Sequence, residues 1–319
     1  MDLQFTAAEE AFRHELRAWL DTVIPHLPAE PHRDDWMGRR SYDTMWQRML
    51  FDAGYAGINW PKEFGGRGAT PTEHLIFLEE TERARAPYVG QNFVGLLHAG
   101  PTLIAEATPE QKTFHLPAIL RGEHVWCQGF SEPGAGSDLA SLSCRAHRDG
   151  DDYVINGQKI WTSFGHTADY CEMLVRTDTE APKHRGITWL IVPMGLPGMD
   201  VRPLRTMEGS TEFCEVFFDE VRVPVANRVG NENDGWRVAM VTLSRAPPAP
   251  RRSGDAPARP GVAEHRRHRR AAHARPRARP HPRAVARHRR RYVPGATKHR
   301  RRAHPRPAQG SVTAPWTSN

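Results

Sequence analysis

Apolar side chains recur every three to four positions along the first part of the chain, the spacing that gives an amphipathic helix one buried face. Phe12, Leu16 and Leu20 form the clearest stripe of this kind. Thr6 and Glu9 precede the stripe as a capping box, in which each side chain bonds a free backbone N–H group of the other residue. The pattern therefore predicts a helix that begins just after Thr6.

Further helix signals follow up to about residue 124. Apolar pairs four positions apart predict a second helix over residues 42–53, and residues 94–106 carry the same period. Thr70 and Thr108 each stand before a proline, with a Glu or Gln three positions on, which is the pattern of a capped helix start. We therefore predict an all-helical N-terminal domain over residues 1–124.

Near residue 125 the pattern changes to alternation, which is the period of a β-strand. Residues 153–161 alternate about Asn156-Gly157, a dipeptide typical of a tight hairpin turn, so two short strands are predicted there. Gly and Pro separate three more strand-like segments, at 172–176, 187–193 and 213–218. We predict a middle β domain over residues 125–232, a small β-barrel or sandwich.

A helical pattern returns at residues 233–245, the expected start of a C-terminal helical domain, and then stops. Residues 246–319 contain no Leu, Ile, Phe or Met, but hold 19 Arg, 12 Pro and 7 His. A segment so poor in apolar side chains cannot offset the entropy of ordering itself, so we predict a disordered tail. Because the helix breaks off within its own apolar pattern, we hypothesise that the tail is a frameshift product.

The charge is divided between the same two parts of the chain. Residues 1–245 hold 24 Lys and Arg against 35 Asp and Glu, whereas residues 246–319 hold 20 against 2. The net charge of +7 therefore comes from the tail and is no nucleic-acid signal for the body. A nucleic-acid-binding protein acting through the tail is disfavoured, because bases stack on interleaved aromatic rings and the tail has only Tyr292 and Trp316.

The cysteines and the N-terminus indicate the compartment. Cys127, Cys144, Cys171 and Cys214 lie too far apart for a Cys-x-x-Cys zinc motif or a dense disulfide framework, so we predict reduced thiols and no metal. The N-terminus is acidic and lacks an apolar run, which argues against a secretory signal, and no segment is long and apolar enough to span a bilayer. We expect a cytoplasmic protein.

The most specific motif is the string Phe-Ser-Glu-Pro-Gly-Ala-Gly-Ser-Asp at residues 130–138. Gly134 and Gly136 are expected to adopt positive φ and to let a ligand approach the backbone, with hydroxyls beside them. A bare Gly-x-Gly also suits an ordinary surface loop. The longer string resembles the flavin-contacting loop of the acyl-CoA dehydrogenase family, Ser/Thr-Glu-Pro-Gly-Ala-Gly-Ser-Asp. The loop Trp-Pro-Lys-Glu-Phe-Gly-Gly at residues 60–66 also resembles that family.

The resemblance implies an α+β, acyl-CoA dehydrogenase-like fold, with the C-terminal helical bundle missing or truncated, and FAD as cofactor. It places the flavin contacts at Gln128, Gly129, Phe130, Ser131, Trp161, Thr162 and Ser163. By the same resemblance Ser137 faces the acyl-CoA, Trp161 covers the flavin edge and Ser163 bonds near N5. A loop containing Arg205, Glu208, Gly209 and Ser210 lies either near the substrate channel or simply in solvent.

The resemblance also implies a glutamate base, an electron-transfer acceptor protein and a homo- or hetero-oligomer. The first position at which the family carries its base reads Thr-Leu-Ser-Arg-Ala-Pro at residues 242–247, without a carboxylate. The second falls in the tail, whose only acids are Asp255 and Glu264. The chain is therefore interpreted as an acyl-CoA dehydrogenase that introduces an α,β double bond, impaired by the missing base. The alternative is a non-catalytic partner subunit of a heteromeric acyl-CoA dehydrogenase.

Overall fold

The computed structural model describes residues 4–245, and it begins with helices. Thr6, Thr70 and Thr108 each close a reciprocal capping box with the residue three positions on, as the sequence predicts. The five helices of this part are α1 (Ala7–Val23), α2 (Trp36–Asp52), α3 (Pro71–Arg83), α4 (Gly100–Glu106) and α5 (Pro109–Leu120).

Two of these helices differ from their predicted form. The second helix begins six residues before the predicted position, because the Asp35 carboxylate accepts a hydrogen bond from the Gly38 N–H at 2.9 Å and caps the end. The predicted helix at 94–106 is present, but its first turn, Gly95–Ala99, is a π-helix. Pro101 lacks an N–H group and crowds the preceding turn, so a wider turn before it lets the helix continue.

The second part of the chain is a β-sheet, as predicted. Its strands are β1 (Trp126–Gly129), β2 (Arg145–Asp149), β3 (Asp152–Ser163), β4 (Tyr170–Arg176), β5 (Ile187–Pro193), β6 (Met199–Leu204), β7 (Phe213–Pro224) and β8 (Arg228–Val229). The hydrogen-bonded order is β6-β7-β3-β2-β4-β5-β8, and β1 pairs in parallel with β4 beside β2. The predicted β-barrel is thus a single eight-stranded sheet whose pairing path runs from β6 to β8.

The hairpin predicted at Asn156-Gly157 was wrong. Strand β3 passes straight through this dipeptide and pairs with β2 on one side and β7 on the other. Gly157 has φ 147° at a shift in the register with β7, and a Cβ there would come within 2.8 Å of the Cα of Cys144. Glycine is therefore needed for a bulge and for close packing, and the strand partners on both sides outweigh the local turn preference.

The two faces of the sheet bury different cores. Alternate residues of β1 to β5 and β7, among them Cys127, Met173 and Val216, converge on one apolar cluster, so the sheet curls around its own interior. Trp126, Leu174 and Trp189 point to the opposite face and join the core of the helical part. Strands β1, β4 and β5 are therefore covered on both faces, which fixes their position against the helices.

The last described element is helix α6 (Gly235–Arg245), present where the sequence predicts a helix. The predicted tail at 246–319 and its proposed origin lie outside the described residues. Among the helices of residues 4–245, not one is long and apolar enough to cross a membrane. Met240 and Leu243 of α6 are exposed, so part of this helix's apolar surface is open to solvent.

Candidate functional site

The loop that follows β1 is a tight turn held by its own backbone. The Ala135 N–H donates to the Glu132 carbonyl at 3.0 Å, and the Glu132 N–H donates to the Ala135 carbonyl at 2.9 Å. The expected positive φ at Gly134 and Gly136 is wrong, since neither glycine lies in that region. A Cβ at either position would meet nothing within 4 Å, so the glycines leave the outer face of the turn open rather than allowing a special backbone conformation.

Glu132 anchors this turn to the sheet. Its carboxylate accepts hydrogen bonds from the Lys159 ammonium at 2.8 Å and from the backbone N–H groups of Ser143 at 2.6 Å and Cys144 at 2.9 Å. Burial alone would raise the pKa of Glu132, but the Lys159 charge and these hydrogen bonds outweigh it and lower the pKa. The carboxylate is therefore ionised and holds the loop in one position.

The two segments predicted to contact the flavin are neighbours in the fold. The Ile160 N–H donates to the Ser131 carbonyl at 2.9 Å, and the Lys159 ammonium donates to the Phe130 carbonyl at 3.1 Å. The end of β1 thus runs beside the end of β3, although some 30 residues separate the two segments.

Trp161 and Ser163 lie at an irregular end of β3. Trp161 has φ 61°, an unusual value for a bulky residue, where the register with β7 shifts between Lys159 and Thr162. Its side chain is 56% exposed and contacts the Phe213 ring edge-on at 5.9 Å. A large aromatic ring is therefore held open at this point, with the half-buried Ser163 two residues further on.

Three of the predicted cofactor contacts are buried. Thr162 is fully buried and Phe130 is nearly so, and a Cβ at the buried Gly129 would come within 2.8 Å of the Cys171 sulfur. Their side chains face the protein, so contact with a cofactor is open to them only through the backbone. Ser131 remains half-buried and Ser137 is exposed on the loop.

A buried polar cluster was missed by the sequence reasoning. Glu172 of β4 is fully buried, and its Oε1 accepts a hydrogen bond from the Gln128 amide at 2.7 Å. The same Gln128 nitrogen lies 3.4 Å from Nδ1 of His98 in the π-helical turn. Burial raises the pKa of Glu172 to about 8 against the weaker effect of Gln128, so the carboxyl is largely protonated at neutral pH. The sequence signal that could have indicated this cluster is a single Glu within a strand of mostly apolar residues.

An open cleft of about 800 Å³ lies between the β4–β5 loop and the start of α6. It is lined by Asp178, Ala181, Pro182, His184, Arg185, Gly186, Asn233, Asp234, Trp236 and Arg237. Lys183, on the same loop, forms an ion pair with Asp138, the residue after Ser137. The cleft therefore adjoins the loop that carries Ser137. No local sequence motif predicts this cleft.

The loop at residues 205–210 is anchored to the helical part. The Arg33 guanidinium donates to the Glu208 carbonyl at 3.3 Å, and the Thr206 N–H donates to the Ser210 carbonyl at 2.9 Å. The Trp36 indole donates to the Thr211 hydroxyl at 2.7 Å. The segment is thus a fixed turn between the two parts of the fold.

The four cysteines are free and buried, as predicted. Burial raises the pKa of Cys144 and Cys214 to about 11, which keeps both thiols protonated. Among the described residues no group of three or more His, Cys, Asp or Glu side chains is arranged to hold a metal ion.

Comparison with known proteins agrees with this architecture. The family model described as "Acyl-CoA dehydrogenase, N-terminal domain" matches residues 6–123, and "Acyl-CoA dehydrogenase, middle domain" matches residues 127–221. The acyl-CoA dehydrogenase IpdE1 of Mycobacterium tuberculosis is 44% identical over 243 residues, which are 74% of this chain and 62% of that protein.

Two solved structures are similar in fold and sequence. The structure titled "Tcur3481-Tcur3483 steroid ACAD" is 41% identical, with a TM-score of 0.67 over 77% of this chain and 62% of its own. The ChsE4-ChsE5 complex from Mycobacterium tuberculosis is 40% identical, with a TM-score of 0.65 over the same shares. The chain thus spans about three fifths of the length of these relatives. Since the two family models together match more than half of its residues, the chain belongs to the acyl-CoA dehydrogenase family.

Proposed function

We propose that this chain is the N-terminal and middle part of a FAD-dependent acyl-CoA dehydrogenase that introduces an α,β double bond into an acyl-CoA thioester. The observation that carries the proposal is the hydrogen bond between Ile160 and Ser131, which joins the two motif segments where the ends of β1 and β3 meet. A surface loop with no ligand would need neither this junction nor a buried ion pair to fix it.

The residues at this junction of β1 and β3 fit a flavin. Trp161 offers an open aromatic face, and the half-buried Ser131 and Ser163 have hydroxyls that bond no other residue among 4–245. The open outer face at Gly134 and Gly136 lets a flat ring system approach the backbone. Bound FAD supplies hydride-acceptor chemistry here, and the chain's own residues hold and orient it.

The substrate side is assigned to Ser137 and the adjoining cleft. The exposed Ser137 hydroxyl can donate to a thioester carbonyl, and donors aimed at a developing oxyanion stabilise it most. The cleft presents His184, Arg185 and Arg237. Arg237 is already paired with Glu106 and Asp234, so Arg185 is the cation better placed to meet an anionic nucleotide.

The base is the incomplete part of the proposal. Helix α6 carries no carboxylate between Gly235 and Arg245, so we expect the chain by itself to be impaired in removing the α-proton. The second candidate function is a partner subunit that binds flavin or completes an interface. It is favoured by the solved complexes named above, each of which pairs two different chains. An electron-transfer acceptor protein belongs to both versions.

Titration of the purified chain with FAD tests the proposal. We expect weak binding by this chain, seen as quenching of flavin fluorescence at high protein concentration, which falls further in Trp161→Ala and is unchanged in the control Ser41→Ala, an exposed serine of α2. Binding that is equal in all three proteins would refute the placement of the flavin. The complete enzyme, encoded if the reading frame is restored beyond the frameshift, should retain FAD. In that enzyme Ser163→Ala should lower turnover by roughly tenfold to several hundredfold, as for the loss of one electrostatic donor.

The DNA around codon 244 separates the two versions. If a neighbouring frame encodes further amphipathic helices and a glutamate, the complete enzyme is the native form. A partner-subunit role instead predicts that no frame restores them, and that activity appears only when a second chain is added.

A further inference from the structure

The Gln128–Glu172–His98 cluster lies where the helical part meets the sheet. Gln128 and Glu172 are register partners on the parallel strands β1 and β4, and His98 comes from the π-helical turn before α4. The Phe93 ring contacts His98 edge-on at 5.6 Å. A polar group is thus set into a largely apolar wall, and its Gln128 begins the segment predicted to contact the flavin.

The contacts favour one arrangement of hydrogen-bond donors and acceptors in the three side chains. An amide nitrogen only donates, so one hydrogen of Gln128 goes to Glu172 Oε1 and the other to Nδ1 of His98. In this arrangement His98 Nδ1, which also lies 3.7 Å from Glu172 Oε1, accepts from Gln128, and the neutral imidazole carries its proton on Nε2. Burial lowers the pKa of His98, which favours this neutral form.

One donor and one acceptor are left over. The Nε2–H of His98 and the Oε1 of Gln128 bond no other group in the part of the chain from 4 to 245. The His98 side chain is 21% exposed and Gln128 is half-buried, so a ligand can reach both. Glu172 is fully buried behind them and fixes the amide orientation of Gln128.

We propose that His98 and Gln128 bind an oxygen-bearing group, such as a hydroxyl, on the acyl part of an acyl-CoA, with Glu172 as the positioning residue. A hydroxyl can accept from the His98 Nε2–H and donate to the Gln128 Oε1 at the same time. A plain hydrocarbon in this place would strip both groups of water and give nothing in return, and polar sites reject such ligands strongly. The inference rests on the proposed function, and it names the substrate class.

Calorimetry on the full chain with FAD tests the inference. The probes are octanoyl-CoA and octanoyl-CoA derivatives with one hydroxyl at successive carbons beyond the β-carbon. We expect one derivative to bind about tenfold tighter than octanoyl-CoA, as two net hydrogen bonds give. His98→Phe should remove this preference, whereas His14→Phe, on the exposed face of α1, should keep it.

Two variants of Glu172 distinguish positioning from mere packing. Glu172→Gln keeps a carbonyl that accepts from Gln128, so the preference should survive. Glu172→Leu removes the acceptor, so the preference should fall to about that of His98→Phe. A purely structural role predicts instead that each variant changes the affinity for both kinds of probe by the same factor.

The outcomes separate the inference from the proposed function. If octanoyl-CoA binds and no hydroxylated derivative binds more tightly, the inference is wrong and the proposed function stands. If no acyl-CoA binds, the inference is wrong and so is the assignment of the substrate side to Ser137 and the adjoining cleft. Nitrogen NMR of the histidine rings adds a test without ligand, with the His98 signal identified by its loss in His98→Phe. A proton on Nδ1 at neutral pH would overturn the assignment.

Discussion

Glu132, in the turn that follows β1, and Glu172, in β4, are 6% and 0% exposed, yet their charge states differ. Glu132 meets an ammonium and two backbone N–H groups, and its pKa is lowered. Glu172 meets one amide, and its pKa is raised to about 8. Burial raises the pKa of both carboxyls, but only at Glu132 do the cation and the N–H donors outweigh it.

The difference separates two uses of a buried acid. An ionised Glu132 with a full set of donors locks the Gly-rich turn onto β3, and it stores a large penalty if a donor is removed. A neutral Glu172 acts as a shaped hydrogen-bonding group whose second oxygen has no partner among residues 4–245.

Removing the Lys159 cation that pairs with Glu132 should have the largest effect on stability. Lys159→Met leaves the Glu132 carboxylate buried without its counter-charge, so we expect the free energy of unfolding to fall by about 3–5 kcal/mol. Urea denaturation followed by circular dichroism measures it. Lys183→Met is the matched control, because the Lys183–Asp138 pair is exposed and its loss should change the free energy of unfolding far less. Equal losses in the two variants would contradict the contrast.

Replacing the titrating carboxyl of Glu172 with an amide should change the free energy of unfolding by an amount that depends on pH. In the unfolded chain Glu172 ionises near its ordinary pKa of 4.5, whereas in the fold it stays protonated up to about pH 8. The native protein therefore loses stability as pH rises through this window, by roughly 1.4 kcal/mol per pH unit. Glu172→Gln lacks this loss, so its stability relative to the native chain should increase with pH and level off above about pH 8.

The control for that experiment is Glu123→Gln. Hydrogen bonds from Arg121 lower the pKa of Glu123, so this exposed acid contributes stability that is lost as pH falls. This loss lies below the ordinary Glu pKa of 4.5, so the difference curve of Glu123→Gln should be flat between about pH 5 and pH 8, where that of Glu172→Gln rises. A flat difference curve for Glu172→Gln between about pH 5 and pH 8 would mean that Glu172 is already ionised in the fold.

Removing the amide should have a smaller effect. Gln128→Leu takes away the hydrogen bond that favours the ionised form of Glu172, so the pKa of Glu172 should rise further, with a loss of about 1 kcal/mol in unfolding free energy. Repeating the pH series in this background should move the levelling of the Glu172→Gln difference to higher pH. A shift to lower pH would contradict the assigned role of Gln128.

The smallest effect is expected where a neutral polar group lacks a partner. Thr162 is fully buried, and its hydroxyl bonds nothing among residues 4–245. Thr162→Val keeps the shape and removes the unpaired hydroxyl, so thermal denaturation should show a gain of up to about 1 kcal/mol. A clear loss of stability would reveal a partner for this hydroxyl.

Local signals predicted the parts of the fold that local chemistry determines. The capping boxes at Thr6, Thr70 and Thr108 each form between residues three positions apart, so the sequence contains both partners of the interaction. The turn expected at Asn156-Gly157 failed for the opposite reason. The adjacent strand β2 forms a local hairpin with β3, but β3 continues through the dipeptide to pair with β7, where Gly157 is the register partner of the distant Phe218, and this tertiary pairing overrides the local turn preference.

The site followed the same division. The motifs indicated Ser131, Trp161 and Ser163, but the sequence could not show that Thr162 points inward, because this depends on the bulge in β3. It also could not pair Gln128 with Glu172, since the register of two parallel strands is not visible in either strand alone. The sequence alone therefore gives Glu172 no partner and no role.

The long ladder between β3 and β7 has a consequence for how quickly the chain folds. Ser163 pairs with Phe213 and Asp152 pairs with Pro224, so each contact closes a loop of about fifty residues or more. The capped helices close loops of only a few residues and form in microseconds. We expect helical signal to precede the burial of the sheet's interior thiols, which leaves the strand edges open to wrong partners for a time set by the search for register.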